Sequence, residues 1–127
     1  LEPHTYITPQ GHTVWVGRNN IQNAQLLSKR AHALDYWLHA RDCPGAHVIL
    51  RTQKQPLHAQ SLHFAAQLAA YYSQGRASEK LEVVYTQVRY VRPVPGSYHG
   101  HVTYINERSA YVKPEPMNTV FNETDED

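Results

Sequence analysis

Apolar and polar positions alternate over Thr5–Thr8 and again over Thr13–Gly17, and Pro9-Gln10-Gly11-His12 lies between them. Alternation at period two marks half-buried strands, and the Pro/Gly cluster marks a hairpin turn. The period then changes. Ile21, Ala24, Leu27 and Ala31 fall on one helical stripe, with Asn19 or Asn20 placed to cap it and Lys29 and Arg30 at the favourable C-terminal end. Asp35 to Thr52 reads as two more strands around a reversal at Pro44-Gly45, where positive φ is expected at the glycine. A second helix is predicted from Ala59 to Gln74, with Leu62, Ala65, Ala66, Ala69 and Tyr72 on one face and Gly75 just past its end. So many alanines predict that its backbone lies close to a sheet. Leu81–Val91 is a long β-rich run that stops before Pro93-x-Pro95-Gly96. Val102–Asn106 and Ala110–Lys113 read as a last hairpin. The order ββαββαβββ predicts an α+β fold with a largely antiparallel β-sheet and two packed α-helices.

Within the central pair of strands, alternation sends Trp37, His39 and Arg41 one way and Leu38 and Ala40 the other. His47, Ile49 and Arg51 share a face opposite Val48 and Leu50. One face is aliphatic and suits a core. The other carries an indole, two imidazoles and two guanidiniums, groups expensive to bury and useful toward an anionic, aromatic ligand such as RNA.

The 127 residues suffice for one domain with its own core. No apolar run approaches the ~20 residues of a membrane span, and no secretory signal is present. Position 1 is Leu rather than Met, so a fragment or processed chain is expected. Cys43 stands alone, which fits a reducing compartment. The formal net charge of +1 hides an asymmetry. Residues 118–127 hold four of the eleven acidic side chains and no Lys or Arg; without them seven acidic residues face twelve basic ones, a formal +5. The expected division is a domain over 1–117 and an acidic, disordered tail over 118–127. A basic body is compatible with nucleic acid without requiring it.

Three groups of side chains are candidates for binding. Arg41 and Arg51 could meet phosphates while Trp37 or His39 stack on bases, beside Asp42 and His47; alternatively Trp37 is core and Asp42 fixes the turn. Arg18-Asn19-Asn20 stands at a strand-to-helix junction, where Arg18 could hold a phosphate while an Asn caps. Tyr85, Gln87 and Arg89 share a strand face that could stack on and read a base, or be an ordinary half-exposed surface. Nine histidines include His99-x-His101, but no CxxC or HExxH is present, so no metal site is expected. No G-x-S-x-G, Walker or dinucleotide motif is present either, so no cofactor and no catalytic residues are expected.

Trp37-Leu38-His39-Ala40-Arg41-Asp42-x-Pro44-Gly45-x-His47-Val48 closely resembles the signature of the NFACT-R domain. Three further segments match in the same order: Val16-Gly17-Arg18-Asn19-Asn20-x-Gln22-Asn23, Ala65-Ala66-x-Leu68-Ala69-Ala70-Tyr71-Tyr72-Ser73, and Val84-Tyr85-Thr86-Gln87-Val88. The resemblance runs from about Tyr6 to Pro116. It implies a noncatalytic RNA-binding domain, usually C-terminal in cytoplasmic NFACT proteins of the RqcH or fibronectin-binding-protein-A type. Those proteins bind tRNA and the split large ribosomal subunit and extend stalled chains with alanine. Implied partners are tRNA or large-subunit ribosomal RNA, ribosomal proteins, and upstream domains of a longer chain, with no membrane. The motifs carry over Arg18, Asn19, Asn20, Trp37, His39, Arg41, Asp42, His47 and Gln87; Arg51 and Arg89 join them from strand geometry alone. Two other classes stay open, an RNA-processing or RNA-modifying enzyme and a protein-interaction or adhesion module of the fibronectin-binding type.

Overall fold

A computed structural model describes residues 1–118. Six strands form one antiparallel sheet: β1 (His4–Ile7), β2 (Thr13–Val16), β3 (Tyr36–Ala40), β4 (Val48–Leu50), β5 (Leu81–Gln87) and β8 (Arg108–Val112), in the spatial order β1-β2-β4-β3-β5-β8. Two short strands, β6 (Val91–Pro93) and β7 (Val102–Tyr104), pair as a separate ribbon. Helix α1 (Asn20–Gln25) continues into a π-helical turn at Leu26–Arg30, and α2 spans Ala59–Tyr71. The α+β class with a large antiparallel sheet therefore holds.

The sheet is covered on both faces. On the first, α2 lays Ala65, Ala66, Leu68, Ala69 and Ala70 over Val14, Val16, Leu38, Val48, Leu50, Val83 and Val112, all buried. Alanine adds little apolar area of its own. Its short side chain instead lets the helix approach and seal the larger sheet residues, each contributing about 1.5–3 kcal/mol when fully buried. On the second face, Leu26 of the π turn and Val91, Val102 and Tyr104 of the β6–β7 ribbon cover Trp37, Ile49 and Val84.

That second covering decides between the two readings of Trp37 in favour of core and changes other expectations. Trp37 is only 1% exposed and Ile49 is fully buried, so the indole-bearing face is core, not an open ligand surface. The apolar stripe expected for the first helix holds at Leu27 and Ala31, which pack against the second core, but not at its start. Ile21 is 57% exposed, whereas Gln22, Asn23 and Leu26 are buried. Gln22 and Asn23 can be buried because their amides bond backbone groups: Gln22 Oε1 accepts from the Arg18 N–H at 2.8 Å and Asn23 Oδ1 from the His47 N–H at 3.1 Å. The run Leu81–Val91 breaks at a 3-10 turn, Val88–Tyr90, because the Val88 and Arg89 N–H groups donate to the carbonyls of Asp35 and Ala33 at 2.8 and 3.0 Å. The expected final hairpin does not form. β7 turns back on β6, and β8 instead joins the main sheet beside β5, pairing Leu81 with Val112 through Tyr85 with Arg108. Alternation marks a strand without naming its partner.

Helix α2 ends three residues before the expected Gln74, and Gly75 is not its capping residue. Pro114 is buried and Met117 packs against the first core cluster. Nearly all of the expected acidic tail, 119–127, lies outside the described residues.

Candidate nucleic-acid interface

Three of the four signature segments meet at one end of the sheet, although they are far apart in sequence. β2 leads into Gly17-Arg18-Asn19, and Gly17 N–H donates to the carbonyl of His47 at 3.0 Å. A Cβ on Gly17 would stand 1.9 Å from Asn23 Oδ1, the same atom that accepts from His47. Only glycine leaves room for that amide. Asn19 caps α1, its side chain accepting from the Gln22 N–H at 2.8 Å.

The loop from Arg41 to His47 is pinned to the end of α2. Ala46 N–H donates to Tyr72 O and Gln74 N–H to Pro44 O, both at 2.9 Å, around a bridge between Gly45 and Ser73. A Cβ on Gly45 would lie 2.9 Å from the Ser73 Cβ. The glycine is therefore needed for close approach. The positive φ expected there belongs instead to Asp42, at 55°. A longer connection than a tight Pro-Gly turn follows, since β3 ends at Ala40 and β4 begins at Val48.

Two adjoining clefts flank this loop and share Asn20, Asn23, Pro44 and Gly45. The first, about 390 Å³, is rimmed by Arg18, Gln74 and Arg76. The second, about 460 Å³, is bounded by His39, Asp42, Cys43 and Tyr98. Tyr72 and Arg76 were not among the sequence candidates, though Tyr72 stands in the alanine-rich motif. Arg41 is 39% exposed, with Asp42 and Glu82 carboxylates each 3.8 Å away. Screening by water leaves such long contacts weak, so the guanidinium remains available to a phosphate. The Asp42 side chain is 92% exposed, and the role expected for it in fixing the turn falls to backbone bonds.

The two imidazoles do different things. His47 is buried: its Nδ1 accepts from Trp37 Nε1–H at 3.1 Å, and the Gly100 backbone takes the other bond. Burial, then the neighbouring His39, pushes its pKa down to about 3, so it is neutral and structural. His39 stacks on Trp37 with ring centroids 5.8 Å apart. Its Nδ1 faces Ala40 O at 2.6 Å and its Nε2 faces Gly45 O at 3.1 Å. A neutral imidazole donates to only one of them; the imidazolium would donate to both. Burial lowers its pKa while those carbonyls oppose the shift.

The remaining candidates lie elsewhere. Arg51 is ion-paired to the buried Asp35 at 2.8 Å, and Arg51 and Arg30 both stack on Trp15 at 4.7 and 4.6 Å. Its charge is already matched inside the fold, which does not suit phosphate contact. Gln87 and Arg89 sit at the opposite end of β5 from the signature loop, since Tyr36 pairs with Gln87 and Ala40 with Val83. Among the described residues no cluster of His, Cys, Asp or Glu could hold a metal, and no helix is long and apolar enough to cross a membrane.

The fold and the loop cluster define a small α+β domain with paired clefts at one end of its sheet. The model of the NFACT protein RNA binding domain matches residues 2–106, and the chain belongs to that family. It is 38% identical over 111 residues to the Rqc2 homolog RqcH of Bacillus subtilis and 39% identical over 111 residues to that of Streptococcus pneumoniae. Each match covers 87% of this chain but only 19–20% of the relative, so the chain spans about a fifth of their length. The C-terminal part of the fibronectin/fibrinogen-binding protein from Streptococcus suis superposes with a TM-score of 0.86 at 32% identity, covering 91% of this chain and 47% of that one.

Proposed function

We propose that this domain holds tRNA or large-subunit ribosomal RNA for an RqcH-like, cytoplasmic quality-control factor, and supports alanine tailing carried out by the complete protein. The domain itself performs no reaction in this reading; it binds, at the end of the sheet where Arg18, Asn20 and Arg76 line the clefts around Pro44-Gly45 and Arg41 follows β3 into that loop. One observation carries the proposal: three of the four signature segments converge on one pair of clefts, the first of them lined by Arg18 and Arg76. Backbone contacts made by such cations position an RNA without reading its sequence.

The test is titration of a labelled tRNA across a salt series. Arg41→Ala/Arg76→Ala should weaken binding and reduce the log–log salt slope by roughly 1.4 to 1.8, the loss expected for two phosphate contacts. Unchanged affinity and slope in a variant that melts like the parent would overturn the assignment.

A further inference from the structure

The described guanidiniums divide by their partners. Arg30, Arg41 and Arg51 each have a carboxylate within 4 Å. Arg76, Arg89, Arg92 and Arg108 are exposed and, among the described residues, have none. Arg76 belongs to the signature-loop cleft; the other three lie away from it, around the far end of β5. Glu107 is exposed beside Arg108 in sequence but pairs with no cation among the described residues.

Aromatic rings stand among these charges. Tyr36, Tyr85 and Tyr90 are half-buried and line a cleft of about 240 Å³ with Gln87, Asn106 and Arg108. Register puts Tyr36 opposite Gln87 and Tyr85 opposite Arg108, so these four share one sheet face. The 3-10 turn at Val88–Tyr90 breaks the strand alternation and brings Tyr90, rather than Arg89, into that cleft. Arg89 caps it from the side: its guanidinium lies 4.5 Å from the Tyr90 ring centre and its Nε donates to Gln87 Oε1 at 2.7 Å. Arg92 is held by the carbonyls of Arg89 and Val91 at 2.7 and 3.0 Å. Half-buried rings, cations without carboxylate partners and an amide in the lining suit unpaired nucleotides, whose bases stack while their phosphates meet arginine. A cleft this small admits a base, not a duplex.

We infer that Tyr36, Tyr90, Arg89 and Arg108 form a second RNA contact, specific for single strands, at the end of the sheet opposite the signature loop. It rests on the RNA-binding reading above and adds a second point of attachment. An RNA with a paired stem and a free strand could then engage both ends of the domain at once.

The whole 127-residue chain is titrated with a labelled uridine decamer, a paired RNA of equal length and a glutamate decamer. Arg89→Ala/Arg108→Ala should reduce the decamer's salt slope by roughly 1.4 while leaving the paired RNA little changed. Tyr90→Ala should weaken the decamer roughly five- to tenfold, and Tyr90→Phe should restore it, because the stacking face is retained. Arg41→Ala/Arg76→Ala serves as the reference for the other end. If that variant loses RNA while Arg89→Ala/Arg108→Ala does not, the second contact is wrong and the first stands. If the parent binds no RNA, both fall. Tighter capture of the glutamate decamer than of the uridine decamer at this cleft would assign it to an acidic peptide and overturn the inference.

Discussion

The two faces of the sheet are buried by opposite means. Under α2, aliphatic side chains meet alanines, and the buried hydroxyls, Thr8, Ser61 and Ser73, bond one another or nearby groups at the margin. Under the π turn and the β6–β7 ribbon, the core is an indole packed against two imidazoles that also touch each other, with Asn23 and Gln22 closing the edge. The centre of the first face is stabilised mainly by area. The second is stabilised by area and by a set of matched hydrogen bonds, each of which becomes a penalty if its partner is lost. The second face also ends in the clefts, so the network that buries Trp37 sets the position of the Pro44-Gly45 loop. Residues that look like ligand contacts are, in part, the support beneath them.

Removing the centre of the second face should have the largest effect. Trp37→Ala opens a cavity among Ile49, Val84 and Tyr104 and leaves His47 Nδ1 without its donor. A loss of about 3–5 kcal/mol in urea denaturation is expected. A variant that keeps its stability but loses RNA would instead show that Trp37 stacks on a base.

The junction between the two faces gives the next effect. Gly45→Ala places a Cβ 2.9 Å from that of Ser73, where helix α2 hands over to the loop. Overpacking there should cost about 1–3 kcal/mol, read from the midpoint of thermal melting. Asp42→Gly, at the residue that does carry positive φ, should leave stability unchanged or slightly raised. If Gly45→Ala melts like the parent, the bridge to Ser73 is not what the glycine serves.

These contrasts locate what the sequence makes legible. The β1–β2 hairpin and helix α2 follow from periodicity because each has one apolar face and one polar face. The faces of β3 and β4 are also assigned correctly by alternation. That the aliphatic face is core is read correctly too, but not that the second face is also covered, because alternation sorts side chains without saying what covers them. Trp37 and His47 satisfy each other's polar atoms, and a pair matched across two strands reads in sequence as two exposed groups. Arg41 and Arg51 are equivalent in the pattern, yet only Arg51 meets a buried carboxylate, Asp35, brought in by the turn before β3. Likewise Arg76 reaches the cleft only because the Gly45–Ser73 bridge folds the end of α2 against the signature loop.

The smallest effect is a slope in pH, and its sign separates a buried neutral His47 from a solvent-exposed, ligand-facing one. The folded-state pKa of about 3 lies below the ordinary 6.5. The unfolded chain therefore takes up a proton near pH 6.5, while the folded chain resists until about pH 3. Stabilisation by neutral His47 is full above that window and is lost as the pH falls through it, at up to about 1.4 kcal/mol per pH unit. His39, also lowered by burial, adds a contribution of the same sign. His47→Asn keeps an acceptor for Trp37 Nε1 but cannot titrate. Its urea stability, measured from pH 7 to 4.5, should start lower than the parent's and fall less steeply, by about one proton's worth of slope. Parallel lines for parent and variant would mean that His47 is accessible to protons in the folded state. The second face would then open to solvent on its own, without unfolding of the face under α2.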